Sequence, residues 1–152
     1  MTDEEILSKY ERESLLLKLD KEFAFAGAAI PSFVDVDGER IRLKAFAFEM
    51  SRRRGSLTAD ESAEADRIIS LLRKKRREVV SRLSGEQLTR ARAMELYGMA
   101  IGLDRALDTL YMAQLPKLSI KEESMRAKLE DGRRWLSLMK KVYSREETRK
   151  RG

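Results

Sequence analysis

Apolar positions recur at helical spacing over most of this chain, interrupted once by a stretch that alternates. Thr2 and Glu5 have the spacing of a capping box, and the pattern after them predicts a helix to about Ala29. Two apolar stripes run along it, Ile6, Tyr10, Leu17, Ala24 and Ala28 on one, Leu15, Leu16, Leu19, Phe23 and Ala26 on the other. A helix apolar on two sides is central to a bundle or lies at a contact between molecules. Ile30-Pro31 ends it, because the residue before a proline disfavours helical geometry. Phe33 to Leu43 then alternates about Asp37-Gly38, the signal of a β-hairpin. A two-stranded hairpin is marginal alone, so this one must lean on helices.

Lys44 to Arg54 reads as a short helix stopped at Gly55. Thr58 and Glu61 form a second capping box, opening a helix to about Leu83. Ser84 and Gln87 have the spacing of a third, opening a helix to about Leu115, before Pro116. So short a link makes the two an antiparallel pair. Ser119 and Glu122 open the last helix, to about Tyr143, with Gly132 placed to break it. The predicted fold is mostly α: a bundle of four main antiparallel helices with a short β-hairpin or extended insert near residues 33–43. Residues 1–143 are expected to form one helical domain, and the polar 144–152 tail to fray.

Composition narrows the chemistry more than it names it. Of 152 residues 38% are charged and 42% hydrophobic, which suits helices with wet outer faces and a real core. The chain has no cysteine and no histidine, which removes thiol nucleophiles, disulfides and zinc sites of the Cys/His kind. A general base would have to be a perturbed carboxylate or lysine. No catalytic residue, cofactor or metal is therefore expected, with carboxylate-based metal-dependent chemistry as the one exception. The acidic start, Met1-Thr2-Asp3-Glu4-Glu5, lacks the features of a signal peptide. No apolar run approaches the roughly 20 residues of a membrane span. A cytoplasmic location is the expectation.

The net charge of +6 permits an anionic partner, and the densest basic run is Arg73-Lys74-Lys75-Arg76-Arg77. At helical spacing, Ala65, Ile68, Ile69, Leu72, Val79, Val80 and Leu83 share one face, and Arg76 falls within it. A guanidinium there needs an acid. In an antiparallel pair turning at Ser84-Gly85, facing residue numbers sum to roughly 170, which places Glu95 opposite Arg76, with Asp104 and Asp108 as two other acids further along the same helix. Arg73, Lys74 and Arg77 point away from the apolar face and lack enough local acids to neutralise them. They are the candidate contacts for an anion or nucleic acid if other basic clusters, such as Arg52-Arg53-Arg54 or Arg133-Arg134, converge on them.

Asp104 and Asp108 stand one turn apart and would suit a hard cation with waters, but salt bridging explains them better. Asp35, Asp37 and Glu39 lack the spacing of a calcium loop. Trp135 is expected to be a packing anchor beside Leu138 and Val142; an exposed Trp135 would instead mark an interface.

The stretch from Ile30-Pro31 through Asp37-Gly38-Glu39-Arg40-Ile41-Arg42-Leu43, followed by a short helix and the helix start Leu57-Thr58-x-x-Glu61, resembles a small archaeal family of uncharacterised helical proteins. The resemblance implies a microbial cytoplasmic origin and no catalytic activity. Together these features lead to the expectation of a non-catalytic helical protein–protein interaction or assembly module, a homo-oligomer or partner-bound protein. The alternative is a sequence-nonspecific nucleic-acid-binding protein using a basic helix surface.

Overall fold

The computed structural model describes residues 4–116 and 127–140. The chain divides into two compact units, Met1–Leu115 and Pro116–Gly152. The first contains α1 (Lys9–Leu19), β1 (Val34–Val36), β2 (Glu39–Ile41), α2 (Leu43–Arg52), α3 (Ala59–Gly85) and α4 (Arg90–Gln114). In the second, residues 127–140 are helical and form α5, and Gly132 lies inside it without breaking it. Among the described residues, five helices and a two-stranded antiparallel sheet make the protein mostly α.

The first unit is built on α3 and α4, 27 and 25 residues long. They run antiparallel, as the pairs Arg76–Asp104 and Gln114–Asp66 require. Thr58 caps α3: its hydroxyl accepts from the Glu61 N–H, and the Glu61 carboxylate accepts from the Thr58 N–H. The expected box at Ser84 and Gln87 does not form. α3 continues through Ser84, whose hydroxyl donates to the Ser81 carbonyl, and Thr89 is the N-cap of α4. Ser84 bonds back into its own helix, leaving the next N-cap to the first hydroxyl beyond the turn.

The first helix is shorter than its periodicity predicts. Thr2 lies outside the described residues, and Ser8 with Glu11 makes the capping box that opens α1. Ahead of it Ile6 bridges Thr89, with Leu7 N–H donating to the Leu88 carbonyl and Arg90 N–H to the Glu5 carbonyl. An extended strand pinned there cannot also be helical. After Leu19 the chain runs through tight turns, with Ala24 bonded to Lys21, Ala26 to Phe23 and Ala28 to Phe25. Phe23 has φ 58° and Gly27 φ 78°, so the backbone twice enters the left-handed region that a helix excludes. What these turns provide is packing: Ala24, Phe25 and Ala28 lie against the apolar cluster of α1, α3 and α4.

The hairpin forms in the expected place. Val34 pairs with Ile41 and Val36 with Glu39, and the turn residues Asp37 and Gly38 have φ 52° and 77°. Two positive φ values in a two-residue loop match the twist of the strands, which is why Asp-Gly signals such a turn. Val34, Val36 and Ile41 face inward and join Leu43, Ala47 and Met50 of α2 against Ile68, Ile69, Leu72, Leu103, Leu107 and Leu110.

Two apolar clusters thus lie along the α3–α4 pair. One, near the turn, is closed by α1, and the other, near the open end, by the hairpin and α2. The chain crosses from one to the other at Ala29–Pro31, over Gly102 of α4. A Cβ built on Gly102 would stand 2.9 Å from Pro31 Cδ and 3.0 Å from the Ala29 carbonyl oxygen. Gly98, one turn earlier and solvent-facing, has nothing within 4 Å of that position. Gly102→Ala is therefore expected to lose about 1–3 kcal/mol of stability through overpacking. Gly98→Ala should gain about 0.5–1 kcal/mol through helix propensity. Thermal denaturation followed by circular dichroism checks both signs.

Candidate functional site: the charged seam of α3 and α4 and the hairpin face

Arg76 leaves the apolar face of α3 between Leu72 and Val79, where the two clusters meet. Its Nε donates to Asp104 Oδ1 at 2.5 Å, with the side chains 31% and 19% exposed. The expected partner, Glu95, instead accepts from Arg92 one turn away on its own helix. Two things displace the register. Residues 86–89 form a longer connection than a turn at Ser84-Gly85 allows for. In addition, a helical side chain leans toward its own N-terminus, which carries Arg76 toward higher numbers on the antiparallel partner.

The outward residues of the basic run do not form one free surface. Lys74 Nζ lies 2.8 and 2.9 Å from the two carboxylate oxygens of Asp37 in the hairpin turn. Arg73 stacks over Tyr111, its guanidinium carbon 5.4 Å from the ring centroid. Arg77 is exposed. The acid that Lys74 meets comes from outside α3, because the hairpin supplies Asp37 from 37 positions away. Arg67 does the same for β2, donating to Glu39 and to Glu64. Those bonds hold both carboxyls below the usual carboxylate range and push the Arg67 guanidinium up. Within the first unit, the basic run Arg52-Arg53 has contacts of its own away from the trio. Arg53 pairs with Glu61 near the start of α3, and Arg52 lies over Phe48 of α2.

Asp104 and Asp108 line a groove of about 450 Å³ with Phe23, Phe25, Leu107 and Tyr111. Asp104 is occupied by Arg76. Among the described residues no group of three or more Asp, Glu, His or Cys side chains is placed to hold a metal ion.

Two kinds of feature carried no sequence signal, the arginine contacts that fasten α1 and a groove beside the hairpin. Arg12 of α1 donates to the Leu83 and Glu86 carbonyls at 2.5 and 2.6 Å, capping the end of α3 from another helix. Arg90 donates to both oxygens of Glu11 and draws its carboxyl down to about 2, with Ser8 adding to the shift. The second is a groove of about 490 Å³ on the outer side of the hairpin and α2, lined by Ser32, Phe33, Arg42, Lys44, Ala45 and Phe48. Arg40 lies over the Phe33 ring at 4.6 Å and Arg52 over Phe48 at 5.0 Å. In the sequence these are scattered basic and aromatic residues of two elements, and only their packing brings them together.

Fold and surface define a small, mostly helical protein with a hairpin strapped to α3. Its residues 7–140 match a family of unknown function, DUF5788, and the chain belongs to that family. No curated protein and no solved structure matches it. No helix among the described residues is long and apolar enough to cross a membrane.

Two measurements follow from the ion pairs. Removing either partner of Arg76–Asp104 should cost about 1–2 kcal/mol, between the values for exposed and for buried pairs. Arg76→Met with Asp104→Leu should cost less than either single alanine variant, because no lone charge remains; denaturant melts in a double-mutant cycle read this. For Glu11, the folded protein binds the proton more weakly than the unfolded chain. The stability it adds is present above the ordinary glutamate range and is lost as pH falls toward about 2. Glu11→Gln should flatten the acid side of a Tm-against-pH curve in that window.

Proposed function

We propose that this chain is a non-catalytic helical assembly module that pairs with a second copy of itself through α1. The observation that carries the reading is the division of α1. Leu15 and Leu19 are buried on α3 and α4, while Tyr10 and Leu17 on the other stripe stay 81% and 67% exposed. Ile6 before the helix and Met94 on α4 are exposed too, and a shallow groove lined by Tyr10, Ser14, Leu15 and Met94 runs beside them. A helix apolar on both sides with one side in water is what an interface leaves when its partner is removed.

The stripe also suits self-pairing. In an antiparallel two-fold arrangement centred between Glu13 and Ser14, Tyr10 of each copy lies over Leu17 of the other, and the small Ser14 lets the helices approach. In α5, Leu129, Trp135, Leu136 and Leu138 are exposed as well. The nucleic-acid reading on Arg73, Lys74 and Arg77 has less support, since Lys74 is paired and Arg73 stacked.

Light scattering after size exclusion, over a wide concentration range, tests this. A dimer is expected, and Leu17→Glu should return it to monomer with little change in the monomer's own stability. A strict monomer at high concentration would overturn the proposal.

A further inference from the structure

Most cations whose contacts are described in the first unit have an evident job. Arg53, Arg67, Lys74, Arg76, Arg82, Arg90 and Arg92 each take a carboxylate, and Arg12 caps a helix. Arg40, Arg42, Lys44 and Arg52 are exposed, and among the described residues none of the four has a carboxylate partner. They are gathered around one groove.

The two phenylalanines of that groove are equally unexplained by the fold. Phe33 is 49% and Phe48 58% exposed, and neither belongs to an apolar cluster, whereas Phe46, two residues from Phe48, packs into one. Single exposed apolar residues need no explanation. Two aromatic rings lining the same groove, each under a guanidinium and both flanked by unpaired cations, form a repeated arrangement. Arginine over an aromatic face offers a flat stacking surface beside a fixed positive charge.

We infer that this hairpin–α2 face binds single-stranded nucleic acid, stacking bases against Phe33 and Phe48 and placing phosphates on Arg40, Arg42, Lys44 and Arg52. Strand binding of this kind combines a positive groove that follows the backbone with aromatic rings that take bases. A duplex presents its base edges and keeps its ring faces stacked inside, so it would use the cations and leave the phenyl rings idle. An acidic peptide would likewise have no need of both ring faces. A membrane surface favours apolar side chains projecting from a convex helix, not rings lining a concave groove. The site is separate from the α1 stripe, so it stands or falls independently of self-association.

Fluorescence anisotropy of the full chain with labelled oligo-dT and oligo-rU of about 12 nucleotides tests the inference. Binding is expected to weaken with salt, with a log–log slope of about −2 to −3 if three or four phosphates are neutralised at about −0.7 each. Phe33→Ala with Phe48→Ala should lower affinity about tenfold or more, and Phe33→Trp with Phe48→Trp should retain it. Arg42→Gln with Lys44→Gln should reduce the salt slope. Both sites lie outside the apolar clusters, so an unchanged thermal melt is the control for folding. Equal binding of polyphosphate with no effect of the phenylalanine variants, preference for duplex, or uptake only by polyglutamate or phosphatidylserine vesicles would each overturn the inference. So would a loss of equal size from Arg77→Gln alone, which would move the site to α3.

Discussion

The first unit depends on one requirement, that α4 be covered on nearly every side. Ala93, Leu96, Ala100, Ile101, Gly102, Leu103, Ala106, Leu107, Leu110 and Ala113 are all buried, which no single neighbouring helix can achieve. α3 covers one side along the whole length. The rest is covered in two halves, α1 and the turns after it near the connection, the hairpin and α2 toward the open end. Because one segment must pass from the first half to the second, it crosses α4 at close range, and Gly102 beneath Pro31 is where the room is made. The shortness of α1 belongs to the same requirement. A helix continued to Ala29 would hold Ala24, Phe25 and Ala28 on a straight rod, while turns let them follow the surface of α4.

Electrostatics then fastens what the apolar surfaces place. Arg76–Asp104 closes the seam between the two clusters, Arg67 and Lys74 tie the hairpin to α3, and Arg12 and Arg90 tie α1 to the α3–α4 connection. Exposed pairs such as Lys74–Asp37 contribute little energy singly. Their effect here is positional, holding a hairpin of three-residue strands in one register against a helix that already buries its valines. Among the described cations that take no carboxylate, one group lies around Phe33 and Phe48.

Much of the local structure was legible in the residues, and the reasons are local. Asp37-Gly38 supplies the two positive φ values its turn needs, and Thr58 and Glu61 satisfy each other within a single turn of helix. The long helices α3 and α4 follow from periodicity alone. The errors arose where two local solutions compete. Thr2 and Ser8 both stand three residues before a glutamate, and only the pairing of Ile6 with Thr89 makes the later one the helix start. Ser84 and Thr89 compete in the same way, and the length of the connection they define shifted the partner of Arg76 from Glu95 to Asp104.

By itself, then, the sequence determined the kinds of element, most of their order, and the absence of thiol and imidazole chemistry. Those follow from interactions spanning a few residues and from residue types. Tertiary structure decided where α1 starts and stops, which acid each arginine meets, and which aromatic rings share a groove with unpaired cations. The decisive contacts join residues tens of positions apart, as with Lys74 and Asp37 or Arg90 and Glu11. Such contacts are set by how the covering of α4 folds the chain back, and no periodicity within one element records that.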